Sequence, residues 1–103
     1  MIGRYQVHYL HQAKIEYDRL DGTQKIFVDK AIVRLMIYGM NCGQPLTGNL
    51  AGYRKLKNRK MGLRIVFGQG TTGPEIIEII AIGKRDKLAV YQQAAQRIIP
   101  TKK

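Results

Sequence analysis

The run YRKLKNRKMGLRIVF, Tyr53 to Phe67, holds six basic residues (Arg54, Lys55, Lys57, Arg59, Lys60 and Arg64) and no acid. Read as a strand, a turn at Asn58 to Gly62 and a second strand, its period of two sets Tyr53, Lys55 and Lys57 on one face and Arg54 and Leu56 on the other. In the second strand Leu63, Ile65 and Phe67 share an inward face, opposite Arg64 and Val66. Lys55 and Lys57 then stand side by side. A lysine that is desolvated or crowded by like charge gives up its proton more readily, so the pair suits phosphate binding and also proton transfer. A solvated hairpin with a basic face explains the same letters without chemistry.

Upstream, Arg4 to Leu10 alternates as a half-buried strand, and the period changes at His11. Ala13, Tyr17 and Leu20 fall at i, i+4 and i+7 of a short helix. Asp21 and Gly22 make a turn, Thr23 is the expected N-cap, and Gln24 to Tyr38 forms a second helix with Val28, Ala31, Ile32 and Leu35 on one stripe. Gly39 ends it. Helices joined so tightly form an antiparallel hairpin whose apolar stripe needs a sheet to cover it. Residues 39–52 read as a connector, with Leu46 and Leu50 tucked onto the core and Cys42 a small loop residue.

Downstream, Gly68 to Pro74 is a glycine-rich hairpin tip without a following helix, hence no phosphate loop. Glu75 to Ile82 is apolar on both sides except at Glu78, which predicts the central strand of the sheet, ending at Gly83. Lys84 to Lys87 is a charged turn. Leu88 to Ile99 reads as a closing helix with Tyr91, Ala94 or Ala95, and Ile98 on one stripe, stopped by Pro100. The order β-α-α-β-β-β-α implies an α+β domain: an antiparallel β-sheet carrying an N-terminal helix hairpin and a C-terminal helix.

With 103 residues the chain makes one domain, 1–103. It has no long apolar run and no signal-peptide start, so a soluble cytoplasmic protein is expected, with no membrane partner. Cys42 is the only cysteine, which excludes an internal disulfide. The net charge of +11 is lopsided: residues 54–103 hold twelve basic and three acidic groups, against six and four in residues 1–53. Such an excess favours a polyanion, usually nucleic acid. The seven acids are scattered, so neither a metal site nor any cofactor is expected. His8 and His11 lie at a strand-to-helix junction away from the basic run and read as structural or surface residues.

What remains is a set of five, Lys55, Lys57, Arg64, Arg85 and Tyr91, which meet if the three later strands are neighbours and the last helix starts beside their ends. Singly, each has an ordinary explanation as a surface charge or, for Tyr91, a core residue. Jointly, they suit RNA. The 2′-hydroxyl supplies the nucleophile, fixed cations stabilise the extra charge of a pentacoordinate phosphorane, and a tyrosine offers a face to an unpaired base.

These residues resemble a family. The stretches PLTGNLAGYRKLKNRKMGLRIVF and IIAIGKRDKLAVYQQAAQRI, with the order of elements, make nearly the whole chain similar to the RelE-type toxins of bacterial type II toxin-antitoxin modules, in the RelE/ParE superfamily. The resemblance implies a RelE-like toxin domain that cuts messenger RNA in the ribosomal A site without a metal. It implies Lys57 first as general base for the 2′-hydroxyl, Lys55 and Arg64 holding the phosphate, Arg85 assisting the leaving 5′-oxygen, and Tyr91 stacking on or orienting the nucleotide. The product would be a 2′,3′-cyclic phosphate or the 3′-phosphate derived from it. Arg54, Arg59, Lys60, Lys84 and Lys87 would steer toward ribosomal RNA and bind it. A cognate antitoxin would cover the groove, and operator DNA would be met only through that antitoxin. Two alternatives from other classes are an inhibitor of DNA gyrase of the ParE kind and a non-catalytic RNA-binding module.

Overall fold

A computed structural model describes residues 4–84 and 89–98. The alternating segment becomes strand β1 (Gln6–Tyr9), and the helical period becomes α1 (His11–Asp18) and α2 (Gly22–Tyr38). There follow β2 (Gln44–Pro45), β3 (Arg54–Asn58), β4 (Leu63–Gln69), β5 (Ile76–Lys84) and α3 (Ala89–Ile98). The sheet order is β1-β5-β4-β3-β2. The domain is therefore α+β as expected, with departures in detail.

The sheet is mixed. β2, β3, β4 and β5 pair antiparallel, whereas β1 lies parallel to β5 with Gln6 opposite Ile76 and Tyr9 opposite Ile79. Short turns force β3, β4 and β5 to reverse direction. No local turn joins β1 to its neighbour, so pattern alone leaves its direction open. The central strand is β4 rather than β5, although β5 also has a neighbour on each side, which accounts for its apolar character on both faces. Within the expected connector, Gln44 and Pro45 form an edge strand, where a proline removes no needed donor. Cys42 is in a loop, but it is buried in the core rather than peripheral.

The cap of α2 also differs from expectation. Asp21, not Thr23, is the N-cap: its Oδ1 accepts from the Gln24 N–H at 2.8 Å, while Gln24 Oε1 accepts from the Asp21 N–H at 3.1 Å. Gln24 stands three residues after Asp21, the spacing of a reciprocal capping box, and such a cap contributes about 1 kcal/mol.

The alternation in β4 divides the domain into two layers. Leu63, Ile65 and Phe67 meet Val28, Ala31 and Leu35 of α2 and Ala13 of α1. On the other face Val66 joins Leu50, Val90 and Ala94, with Leu46, Tyr53, Tyr91 and Ile98 packed around them. Opposite Val66 and Phe67 the register of β5 slips: Val66 pairs with Ala81 and Phe67 with Ile79, leaving Ile80 as the extra residue. This bulge lets Ile77, Ile79 and Ile82 join the helix-hairpin core while Ile80 and Ala81 join the α3 core.

Past the end of β1, side chains meet the backbone of β5 in place of a strand. Glu16 Oε1 accepts the Ile82 N–H at 3.0 Å, and Arg97 Nη1 donates to the Ile80 carbonyl at 2.9 Å. The same two residues form a bidentate ion pair, Nη1 to Oε1 at 2.9 Å and Nη2 to Oε2 at 2.8 Å. This clasp ties α1 to α3. No helix among the described residues is long and apolar enough to cross a membrane.

Candidate nucleic-acid interface

The face of the sheet that carries α3 also carries the basic side chains. Lys57 stands opposite Arg64, and Arg64 opposite Gly83, so these three residues form one rung across β3, β4 and β5. One rung on, Lys55 stands opposite Val66. The Lys55 ammonium lies over the Tyr91 ring, 5.4 Å from its centroid, a cation-π contact joining β3 to α3. Val90 packs against Gly83, which brings the first turn of α3 over this end of the sheet. Four of the five expected site residues, Lys55, Lys57, Arg64 and Tyr91, are thus gathered on one face. The fifth, Arg85, lies outside the described residues, as does Lys87.

Arg64 has an uncommon environment. Its residue is 7% exposed, the one charged side chain among the described residues that is fully buried. Its Nη1 donates to the Leu63 carbonyl at 3.2 Å, and its Nε has no hydrogen-bond partner among the described residues. No carboxylate pairs with Arg64 or Lys55 among the described residues. A guanidinium presents five donors in a planar fork and stays charged, so a buried one without a counter-ion is poised for an anion of complementary shape. The Tyr91 hydroxyl is likewise buried without a hydrogen-bond partner among the described residues.

The remaining basic residues separate by position. Arg59 and Lys60 are exposed in the β3–β4 turn, and Lys84 is exposed opposite Leu63 at the same end of the sheet. Arg54 points to the other side of β3, where Nε donates to the Cys42 carbonyl at 2.9 Å and Nη2 to the Gly43 carbonyl at 2.7 Å. It pins the loop before β2 to the strand that carries the lysines. Gly43 permits this contact: its φ is +81°, and a Cβ there would collide with the Lys55 carbonyl. On the site face, Tyr53 lies so close over Gly68 that a side chain at that position would overlap its ring.

His8 and His11 are exposed, on and just after β1, and β1 is separated from β4 by β5. No group of three His, Cys, Asp or Glu among the described residues is arranged to hold a metal ion. Two raised tyrosines also lie away from the site. Tyr9 is pushed up to about 12, first by burial and then by Tyr17, Asp29 and Asp18. Tyr17, whose hydroxyl donates to Asp29 Oδ1 at 2.8 Å, is raised by that bond.

One part of the site has no counterpart in the sequence pattern. Beside Tyr91 is a hollow of about 210 Å³ lined by Thr47, Asn49, Leu50, Gln92 and Ala95. Periodicity marks residues 39–52 only as a connector, and Gln92 only as the polar side of a helix. The single hint is that Thr47 and Asn49 flank Leu50, which is buried against α3.

Comparison with solved structures agrees with this architecture. E. coli toxin RelE carrying two arginine-to-alanine substitutions, in the free state, has a TM-score of 0.77 at 24% identity, over 93% of this chain and 99% of that one. Isolated E. coli RelE toxin gives 0.69 at 24% identity, over 92% and 99%. The RelBE2 toxin-antitoxin complex of Mycobacterium tuberculosis gives 0.65 at 19% identity, over 81% and 93%. No family model and no curated protein matches the sequence. A five-stranded mixed sheet with a helix hairpin on one face and a closing helix on the other, superposing on these structures over most of its length, gives this chain the RelE fold.

Proposed function

We propose that this protein is the toxin of a type II toxin-antitoxin pair and that it cleaves messenger RNA on the ribosome. The observation that carries this reading is Arg64, buried and with no carboxylate paired to it among the described residues, on the rung that it shares with Lys57 and beside the Lys55–Tyr91 contact. These residues have the acid-base and charge-stabilising groups that the reaction uses. The 2′-oxygen of the RNA loses its proton to a lysine, Lys57 first, and attacks the adjacent phosphorus. The bond to the 5′-oxygen breaks, leaving a 2′,3′-cyclic phosphate and a 5′-hydroxyl. Arg64 and Lys55 stabilise the added charge on the phosphorane, Tyr91 fixes the nucleotide, and Arg85 assists the leaving oxygen. Arg59, Lys60, Lys84 and Lys87 steer the protein to ribosomal RNA. An antitoxin, the component named in the RelBE2 complex, covers the same face in the resting cell.

The protein's small groove holds only part of the substrate, and the ribosome supplies the remaining alignment. Expression in bacteria with mapping of messenger-RNA ends on ribosomes tests the proposal. Wild type produces new ends within codons. Arg64→Ala lowers cleavage by about 10²-fold or more, as for loss of one transition-state donor, and adding Tyr91→Ala removes what remains. Cleavage that is undiminished in the double variant overturns the assignment. DNA damage with intact messenger RNA identifies a gyrase inhibitor instead.

A further inference from the structure

The hollow beside Tyr91 gives the site a second compartment. Its lining combines the buried Leu50 and half-buried Ala95 with the exposed Thr47, Asn49 and Gln92, residues that carry a hydroxyl and two side-chain amides. Its volume of about 210 Å³ is well below the ~300 Å³ at which sites for drug-sized ligands begin, so it takes one planar ring system and little more. An amide presents a donor and an acceptor together, as the edge of a nucleobase does, whereas the lysines and arginines on the sheet present donors only. Asn49 and Gln92 are exposed. No hydrogen bond from either side chain to another described residue engages those amides.

Tyr91 belongs to both compartments. Its ring lies under the Lys55 ammonium, and the same residue lines the hollow. A strand whose phosphate rests on Lys55 and Arg64 therefore carries its neighbouring base toward Asn49 and Gln92. Burial of the Tyr91 hydroxyl leaves the ring, rather than its polar tip, to meet the base. From this arrangement we infer that the hollow is a nucleobase subsite in which Asn49 and Gln92 read the edge of one unpaired base, making them determinants of sequence preference. The inference rests on the proposal that the basic face binds RNA.

The test uses binding, so that it does not depend on cleavage. Full-length protein is titrated into fluorescent 2′-O-methyl RNA tetranucleotides, one for each base, which lack the nucleophilic hydroxyl. Wild type distinguishes the best from the worst base by at least about 5-fold in Kd, and the preference collapses to within about 2-fold in Asn49→Ala/Gln92→Ala. The salt slope, which counts neutralised phosphates at about −0.7 per contact on single strands, is the same in both proteins. Because both positions are exposed, the substitutions leave the fold intact, and Thr47→Val provides a second variant that weakens the preference without a charge change. Binding with no base preference in wild type, or a preference that survives in the double variant, overturns the subsite and leaves RNA cleavage standing. Equal preference accompanied by messenger RNA that stays intact on ribosomes removes the cleavage proposal separately.

Discussion

The two faces of one sheet are built from alternate residues of the same strand and have opposite characters. Toward α1 and α2, β4 presents Leu63, Ile65 and Phe67, which close a core of large apolar side chains. Toward α3 it presents Arg64, Val66 and Gly68, and the corresponding cluster is smaller. Among the described residues, the first face buries nothing charged, while the second buries an arginine with no carboxylate paired to it and leaves two lysines at its margin. An apolar layer earns stability in proportion to its buried area, whereas a buried unpaired charge costs stability unless a ligand supplies the counter-charge. The contrast assigns folding mainly to one face and binding mainly to the other.

Three substitutions break or sharpen that division, beginning with the largest effect. Phe67→Ala empties the centre of the helix-hairpin core and is expected to lower unfolding stability by about 3–5 kcal/mol in urea titration, with a cavity that nothing nearby can fill. A cost under about 1 kcal/mol would mean that this face is not the stabilising one. Glu16→Ala strips Arg97 of its partner and orphans the Ile82 N–H, at a cost of about 2–3 kcal/mol, somewhat below the range for a fully buried pair because both side chains keep some exposure. Glu16→Ala combined with Arg97→Ala costs less than the two single changes together, since the pair is removed as a unit. The smallest effect is the most diagnostic. Arg64→Met replaces the buried cation with an apolar chain and changes stability by less than about 1 kcal/mol, with a gain as the expected sign, while RNA affinity falls. A loss above about 2 kcal/mol would make Arg64 a structural residue and erase the contrast between the faces.

The parts of this design that depend on neighbours in sequence are the parts that the letters reveal. The stripe Val28, Ala31 and Leu35 in α2 and the alternation of Leu63, Ile65 and Phe67 in β4 each lie within one element, and each is buried as its period requires. The gathering of Lys55, Lys57, Arg64 and Tyr91 follows once β3 and β4 pair and α3 returns over the sheet. Other features have no local signature. The parallel β1–β5 pair and the Ile80 bulge arise between segments about 70 and 15 residues apart, where the partner's register decides the outcome. Asp21 displaced Thr23 as N-cap because Gln24 completed a reciprocal box, a competition between two good capping residues that composition alone leaves tied. Arg54 reads as one more cation in a basic run, yet two carbonyls of a distant loop take its guanidinium. Asn49 and Gln92 gain meaning only from the approach of a connector to a helix, which no period encodes.

The Glu16–Arg97 clasp also sets a timetable. Its two halves are 81 positions apart in the chain, so Glu16 is made well before Arg97. During translation the helix hairpin, β3 and β4 can all exist before α3 does, so Lys55, Lys57 and Arg64 are in place while Tyr91 is not. The clasp closes last and brings Tyr91 to Lys55. A nascent chain therefore carries the cations of the site before its aromatic member, and completes the pair only once α3 has been made.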